Sequence, residues 1–236
     1  MTLGPVKLLV VNADDLGYDP EIDRGILEAH ARGIVTSATA MVETPFAADA
    51  LRAAPPSLGA GLHAVLAPGL GHAAAEAALR RQLARFEELR GAPPTHLDSH
   101  KHAHARPEIL EAFAAVAAER DLPVRAIDGA MRAALRARGV ATADAFLGDA
   151  ARRPAWTVED LLAALAGVGE GVTEIMAHPG HAPSHAHTSF GAEREIELRA
   201  LCDPGARALL ARKGVRLCHY GEVRPHLGRA PFRDQR

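Results

Sequence analysis

The 236 residues contain only two cysteines, Cys202 and Cys218. That is too few for a disulfide framework and fits a reducing compartment. An excess of one charge is also missing. Lys and Arg number 27 against 29 Asp and Glu, for a formal net charge of −2, so neither a nucleic-acid footprint nor a membrane-surface patch is indicated. No apolar run approaches the length of a membrane span. The N-terminal stretch has a short apolar run after Lys7 that ends near two aspartates, which suits a first strand better than a signal peptide. No composition break, internal repeat or low-complexity tract marks a linker, apart from alanine-rich helices. With 48% hydrophobic and 24% charged residues, the expectation is one cytoplasmic domain spanning 1–236.

What the chain does have is alternation. Apolar or β-branched runs at Lys7–Asn12, Ile34–Val42, Leu58–Leu66, Leu122–Ile127, Val172–Ala177 and Val215–Cys218 read as strands. Between them lie helical patterns with recognisable ends. Asp19 offers an N-cap and Pro20 a first helical position for a helix running to Arg32, stopped by Gly33. Further helices are expected over Phe46–Ala54, Ala73–Arg90, Pro107–Arg120, Glu193–Leu201 and Ala206–Lys213, and another after the capping box Thr157-Val158-Glu159-Asp160. Alternation of this kind implies parallel strands joined by helical crossovers. About seven units in this length suit an α/β, TIM-like β/α barrel, with a doubly wound open sheet as the alternative.

The densest chemistry is Thr-His-Leu-Asp-Ser-His-Lys-His-Ala-His at 95–104. His96, Asp98, His100, His102 and His104 occupy every second position, so in an extended strand all five would project from one face. An apolar core has no use for such a row, and a metal ion does. Other polar groups fall at the ends of predicted strands: Asp14 and Asp15 after the first, His63 in the third, His178 after the strand at Val172–Ala177. In a β/α barrel these ends converge on the active site. Asp14 or Asp15 could instead cap the next helix, His63 could be a hydrogen-bonded core residue, and His178 a turn residue before Pro179-Gly180. His181, His185 and His187 read as solvated loop residues. Spacing alone nominates His100 and His102 as a His-x-His ligand pair, with a carboxylate from the first strand as third ligand and an open position for water. Metal-assisted hydrolysis is the reaction class that follows.

Several stretches resemble the YdjC-like (ChbG/HpnK) carbohydrate deacetylases. They are Val-Asn-Ala-Asp-Asp-Leu-Gly at 11–17, Gly-Ile-Val-Thr-Ser-Ala-Thr at 33–39, Gly-Leu-His at 61–63, the histidine stretch, Met-Ala-His-Pro-Gly at 176–180 and Arg-Glu-Ile-Glu-Leu-Arg-Ala-Leu at 194–201. The resemblance implies a barrel of the glycoside hydrolase/deacetylase type and removal of an N-acetyl group from an amino sugar or chitooligosaccharide, releasing acetate. It places one divalent metal ion, magnesium or zinc, on Asp15, His63 and His100, the general base on Asp14 and the acid on His178. Asp98, His102 and His104 then become groups that orient the ligands or face the substrate. The segment between His63 and His96 is shorter than in relatives acting on chitooligosaccharides, which predicts a more open site. The rivals are a non-catalytic metal-binding barrel and a metal-dependent hydrolase of another amide or of a phosphoester. The expected partner is a small N-acetylated sugar, with no nucleic acid or membrane, and a homodimer as the default assembly.

Overall fold

The computed structural model describes residues 6–148 and 155–228. The first five residues of the N-terminal stretch lie outside this range. Seven parallel strands form one sheet: β1 (Lys7–Leu16), β2 (Ser37–Ala40), β3 (Gly59–Ala64), β4 (Leu97–Ser99), β5 (Ala145–Leu147), β6 (Gly171–Ala177) and β7 (Val215–Leu217). Six of them run in the order β4-β3-β2-β1-β6-β5. β7 pairs only with Lys7–Leu9 of β1, while β2 meets β1 from Asn12 onward.

The expected seven-strand TIM-like barrel is therefore corrected to an incomplete one. The segment Leu122–Ile127, read as a strand, contributes a single bridge, Val124 to Leu97. A backbone bond from Val124 N–H to Ala141 continues the wall from there without a regular ladder, and β5, paired in parallel with β6, completes it.

Around the sheet lie α1 (Pro20–Arg32), α2 (Ala47–Ala53), α3 (His72–Arg90), α4 (Pro107–Arg120), α5 (Gly129–Ala137), α6 (Val158–Ala166), α7 (Glu193–Leu201), α8 (Pro204–Lys213) and the one-turn α9 (Tyr220–Val223). Asp19 caps α1 through the Glu21 N–H, and Thr157 caps α6 through the Asp160 N–H, each satisfying a donor the helix cannot. Among the described residues no helix is long and apolar enough to cross a membrane.

The two faces of β1 show how the sheet is used. Leu9, Val11 and Ala13 join the main apolar core with the helices, whereas Leu8 and Val10 belong to a smaller cluster with Val172, Cys218 and Tyr220. On that second face the alternate positions run Leu8, Val10, Asn12, Asp14, from apolar to polar toward the carboxyl end of the strand.

Candidate active site

Strict alternation would send the adjacent Asp14 and Asp15 to opposite faces of the sheet. The register shows why it does not. Ala13 pairs with Ala38 and Leu16 with Ala40, so β1 carries one extra residue here. This bulge puts Asp15 in a left-handed conformation, φ 72°, where an L-residue is strained. Both carboxylates then reach one cavity. Gly17 (φ 81°) continues the turn, and a Cβ there would lie 3.0 Å from Ala47 Cα.

The histidine row departs from the single strand face expected for it. β4 ends at Ser99, and His100–Ala105 forms a 3₁₀ turn in which Lys101 (φ 54°) and His102 (φ 50°) are both left-handed. The five groups scatter accordingly. His96 is buried against Asn12 and Tyr220, and Asp98 is buried beneath His63. His100 approaches Asp15, and His102 lines the cavity. His104 is fully buried in the core, bonded to Ser99 Oγ and the Arg125 carbonyl and stacked on Phe113, and it does not line the cavity.

Asp14, Asp15, His63, His100, His102 and His178 all border this cavity, although they come from four separate stretches of chain. Asp15 Oδ1 lies 3.4 Å from both His63 Nε2 and His100 Nδ1. One atom from each of these residues fits within 4.8 Å of the others, a set that could hold a metal ion. Asp14, His63 and Asp98 bring one atom each just as close together. Their atoms are already engaged, however. Arg125 pairs with Asp14 (2.7 Å) and Asp98 (2.9 Å), and His63 Nδ1 bonds Asp98 Oδ1 (2.7 Å). That last bond turns Nε2 of His63 toward Asp15, the arrangement in which a carboxylate orients a ligating imidazole.

Neither aspartate caps a helix. Arg125 donates Nη1 to Asp14 Oδ2 and Nη2 to Oδ1, both at 2.7 Å, and Asn12 Nδ2 donates to Oδ1 at 2.8 Å. Arg194 donates to Asp15 Oδ2 at 2.6 Å. Burial pushes both carboxyls up, but Arg125 for Asp14 and Arg194 for Asp15 more than offset it and hold both well below the usual carboxylate range. Burial lowers His63, and Asp98 more than reverses this, to about 9. The site therefore favours added positive charge at His63. Burial, followed by the Arg125 charge, lowers His102 to about 4 and keeps it neutral.

His178 presents Nε2 at 4.0 Å from Asp14 Oδ2, its ring packed on Phe190, with its backbone N–H held by Glu197. Asp15 Oδ1, His102 Nδ1, His178 Nδ1 and Arg194 Nη1 are buried without a hydrogen-bond partner, and all four belong to cavity-lining residues. Buried polar atoms are seldom left so, and a cluster of them marks a site awaiting a ligand.

Sequence reasoning gives no role to the two buried arginines that pair with the cavity's carboxylates, Arg125 and Arg194. Arg125 has a visible signal, a charge inside the apolar run Leu122–Ile127, and Arg194 opens the 194–201 stretch that carries part of the family resemblance. His187, read as a solvated loop residue, is exposed but borders the cavity, and its carbonyl accepts from Tyr18 Oη (3.2 Å). The wall formed by His187, Thr188, Ser189 and Phe190 is tethered by Asp19. Its Oδ2 accepts from the N–H groups of Ser184 (3.0 Å), His185 (2.6 Å) and Ala186 (2.9 Å), while Oδ1 caps α1.

Burial pushes the Asp19 carboxyl up, and these four N–H groups more than offset it, bringing its pKa to about 2. Since the folded value lies below the unfolded one of about 3.9, the tether's contribution is complete above about pH 4 and is lost as pH falls toward 2. Asp19→Ala is expected to cost about 0.5–2 kcal/mol through the helix cap. It should also release the 184–186 amides to fast hydrogen exchange and raise KM more than it lowers kcat. Undiminished protection of those amides would rule the tether out.

The polar cluster lies at the carboxyl ends of β1, β3, β4 and β6, and the parallel α/β wall that carries it is a fold shared with carbohydrate esterases. The family 4 carbohydrate esterase from Streptomyces lividans superposes with a TM-score of 0.58 at 14% identity over 97% of this chain and 100% of that one, a likeness of fold. An Enterococcus faecalis structure, provisionally described as a cellobiose-phosphate cleavage protein, gives 0.80 at 25% identity over 92% of this chain and 99% of that one. The chain belongs to the YdjC-like protein family, whose model matches residues 8–73 and 69–212. It is 34% identical to the carbohydrate deacetylase of Geobacillus stearothermophilus, over 92% of this chain and 98% of that one. It is also 34% identical to the chitooligosaccharide deacetylase of Serratia marcescens, over 92% and 99%.

Proposed function

We propose that this protein hydrolyses the N-acetyl group of an amino sugar or chitooligosaccharide, releasing acetate and a free amine, with one divalent metal ion held by Asp15, His63 and His100. The observation that carries the reading is Asp15 Oδ1, a buried oxygen without a hydrogen-bond partner that lies equally far from one nitrogen of each histidine. Two imidazoles and one carboxylate suit zinc, and magnesium is the alternative. The ion would supply Lewis acidity toward the amide carbonyl and lower the pKa of water. Near full-length similarity to proteins named carbohydrate deacetylase and chitooligosaccharide deacetylase supports the substrate class.

The chain's own residues divide the remaining work. Arg194 holds Asp15 Oδ2, which leaves Oδ1 for ligation. Asp14 Oδ1 is saturated by Asn12 and Arg125, whereas Oδ2 has Arg125 alone and faces His178. Oδ2 is thus the atom that takes the proton as water attacks the acetyl carbon. His178 stands across the cavity from it and delivers a proton to the nitrogen as the C–N bond breaks. Asp98 orients His63, and His102, neutral and partly free, faces the substrate.

The test is acetate release from diacetylchitobiose by metal-stripped protein and by protein reloaded with each divalent metal. Reloading is expected to restore release. Stoichiometric metal binding with no acetate from any N-acetylated sugar would favour the non-catalytic barrel or a hydrolase of another amide or a phosphoester. Absence of metal binding would dismiss the Asp15/His63/His100 set.

A further inference from the structure

Asp14 is held by two arms, and behind it the arms meet. Along one, Arg125 takes both carboxylate oxygens, its Nε donates to Glu174 Oε1 (2.7 Å), and Glu174 Oε2 accepts from the Tyr220 hydroxyl. Along the other, Asn12 Nδ2 donates to Asp14 Oδ1, and Asn12 Oδ1 faces His96 Nε2 at 3.0 Å. The His96 ring lies flat on Tyr220, with centroids 3.9 Å apart and 14° between the planes. Asp14, Arg125, Glu174, Tyr220, His96 and Asn12 close a ring in which no member is more than 2% exposed.

Asp14 and Glu174 accept from both of their neighbours, and the His96–Tyr220 stack closes the circuit without a hydrogen bond. The Asn12 amide must aim its nitrogen at the carboxylate, which leaves its oxygen toward His96, and only an Nε2–H can satisfy that oxygen. Burial lowers the His96 pKa to about 3, so the imidazole is neutral, with the Thr95 hydroxyl 2.9 Å from Nδ1. The backbone makes room for this. A Cβ at Gly61 would sit 2.4 Å from His96 Cε1, closer than any side chain allows. Glu174 and Tyr220 are absent from the cavity lining, and Tyr220 packs among Leu8, Val10 and Val172, where apolar side chains would serve stability alone.

We propose that Tyr220 and Glu174 are positioning residues. Through Arg125 and through His96–Asn12 they fix the plane of the Asp14 carboxylate so that Oδ2 keeps its open side toward the cavity. This rests on the reading of Asp14 as proton acceptor. A buried group acting through such a relay is expected to affect turnover and not substrate affinity, because the surfaces that touch the substrate are unchanged.

Tyr220→Phe removes one hydroxyl and keeps the stack on His96. It is expected to lower kcat about 10- to 100-fold, the scale of a misplaced catalytic group, with KM unchanged. Glu174→Gln, whose amide can bond both Arg125 and Tyr220, should retain most of kcat. In an Asp14→Asn background Tyr220→Phe should lower the residual rate no further, since the group it positions is gone. A fall in melting temperature with kcat intact, or additive effects in the double variant, would overturn the proposal. Nitrogen NMR of the histidines gives a check independent of activity. His96 should be fixed as the Nε2–H tautomer, and an Nδ1–H tautomer would break the ring. If the tautomer is as expected but Asp14→Asn keeps full turnover, the failure lies in the assignment of Asp14.

Discussion

Asp14→Asn is expected to leave metal binding nearly intact and to lower acetate release about 10²- to 10⁴-fold, the usual worth of a positioned general base. Asparagine preserves the shape at this position and can still accept from Arg125, whose other partners Asp98 and Glu174 remain in place. What disappears is the ionised oxygen on the open side of the carboxylate. Asp15, His63 and His100 do not depend on it: Asp15 is held by Arg194 and His63 by Asp98. Metal stoichiometry and acetate release, measured on the same preparation, separate the two aspartates. Equal loss of both would end the division of labour between them. Asp15→Asn is the natural control, since it should lose the metal and the activity together.

That two neighbouring aspartates can have different tasks is legible in the sequence; the device that lets them share a cavity is not. Asp19-Pro20 and Gly33 bracket α1, and Pro107 opens α4, because capping and proline geometry are local and written in residue type. Thr157 behaves likewise. The histidine row misleads for a related reason. Residues at every second position mimic the period of a strand, but Lys101 and His102 turn left-handed, which neither residue type announces. The bulge at Asp14–Asp15 is equally invisible, since it is defined by register against β2. α5 is missing from the expected helices although Asp128 caps it through the Met131 N–H and Met131 and Leu135 share its buried face, a pattern open to reading. β7 lies where the run Val215–Cys218 announced a strand and β4 within the histidine stretch, whereas the three-residue β5, absent from the expected strands, is set by its pairing with β6 and not by its own propensity. Partnerships such as Arg194 with Asp15, 179 residues apart, need the fold before they can be seen.

Arg125→Leu should destabilise the protein more than any of the other replacements. The guanidinium is fully buried and pairs with Asp14, Asp98 and Glu174, of which none is more than 3% exposed at its side chain. Leucine would leave Asp14 and Glu174 in the interior without the guanidinium they share, and Asp98 with His63 alone. Breaking a buried pair costs about 3–5 kcal/mol, and a chain of this size loses roughly 2–4 °C of Tm per kcal/mol, so a fall of about 6–20 °C is expected. Arg125→Lys keeps the charge but cannot bond three carboxylates through a planar fork, and should fall between the two.

The pH dependence distinguishes this cause from a simple cavity. In the native protein Asp14 lies below its unfolded pKa, so its contribution is present above that value and is lost as pH falls through the folded one. Without Arg125, burial is opposed only by what remains, the His63 and His178 charges at Asp14, His63 at Asp98 and the Tyr220 hydroxyl at Glu174, so the folded pKa values rise. The carboxylates then destabilise most at neutral pH and less as they take up protons. The Tm gap between native protein and Arg125→Leu should narrow between about pH 7 and pH 5. A gap of constant size across that range would mean that lost packing, and not stranded charge, is what Arg125 prevents.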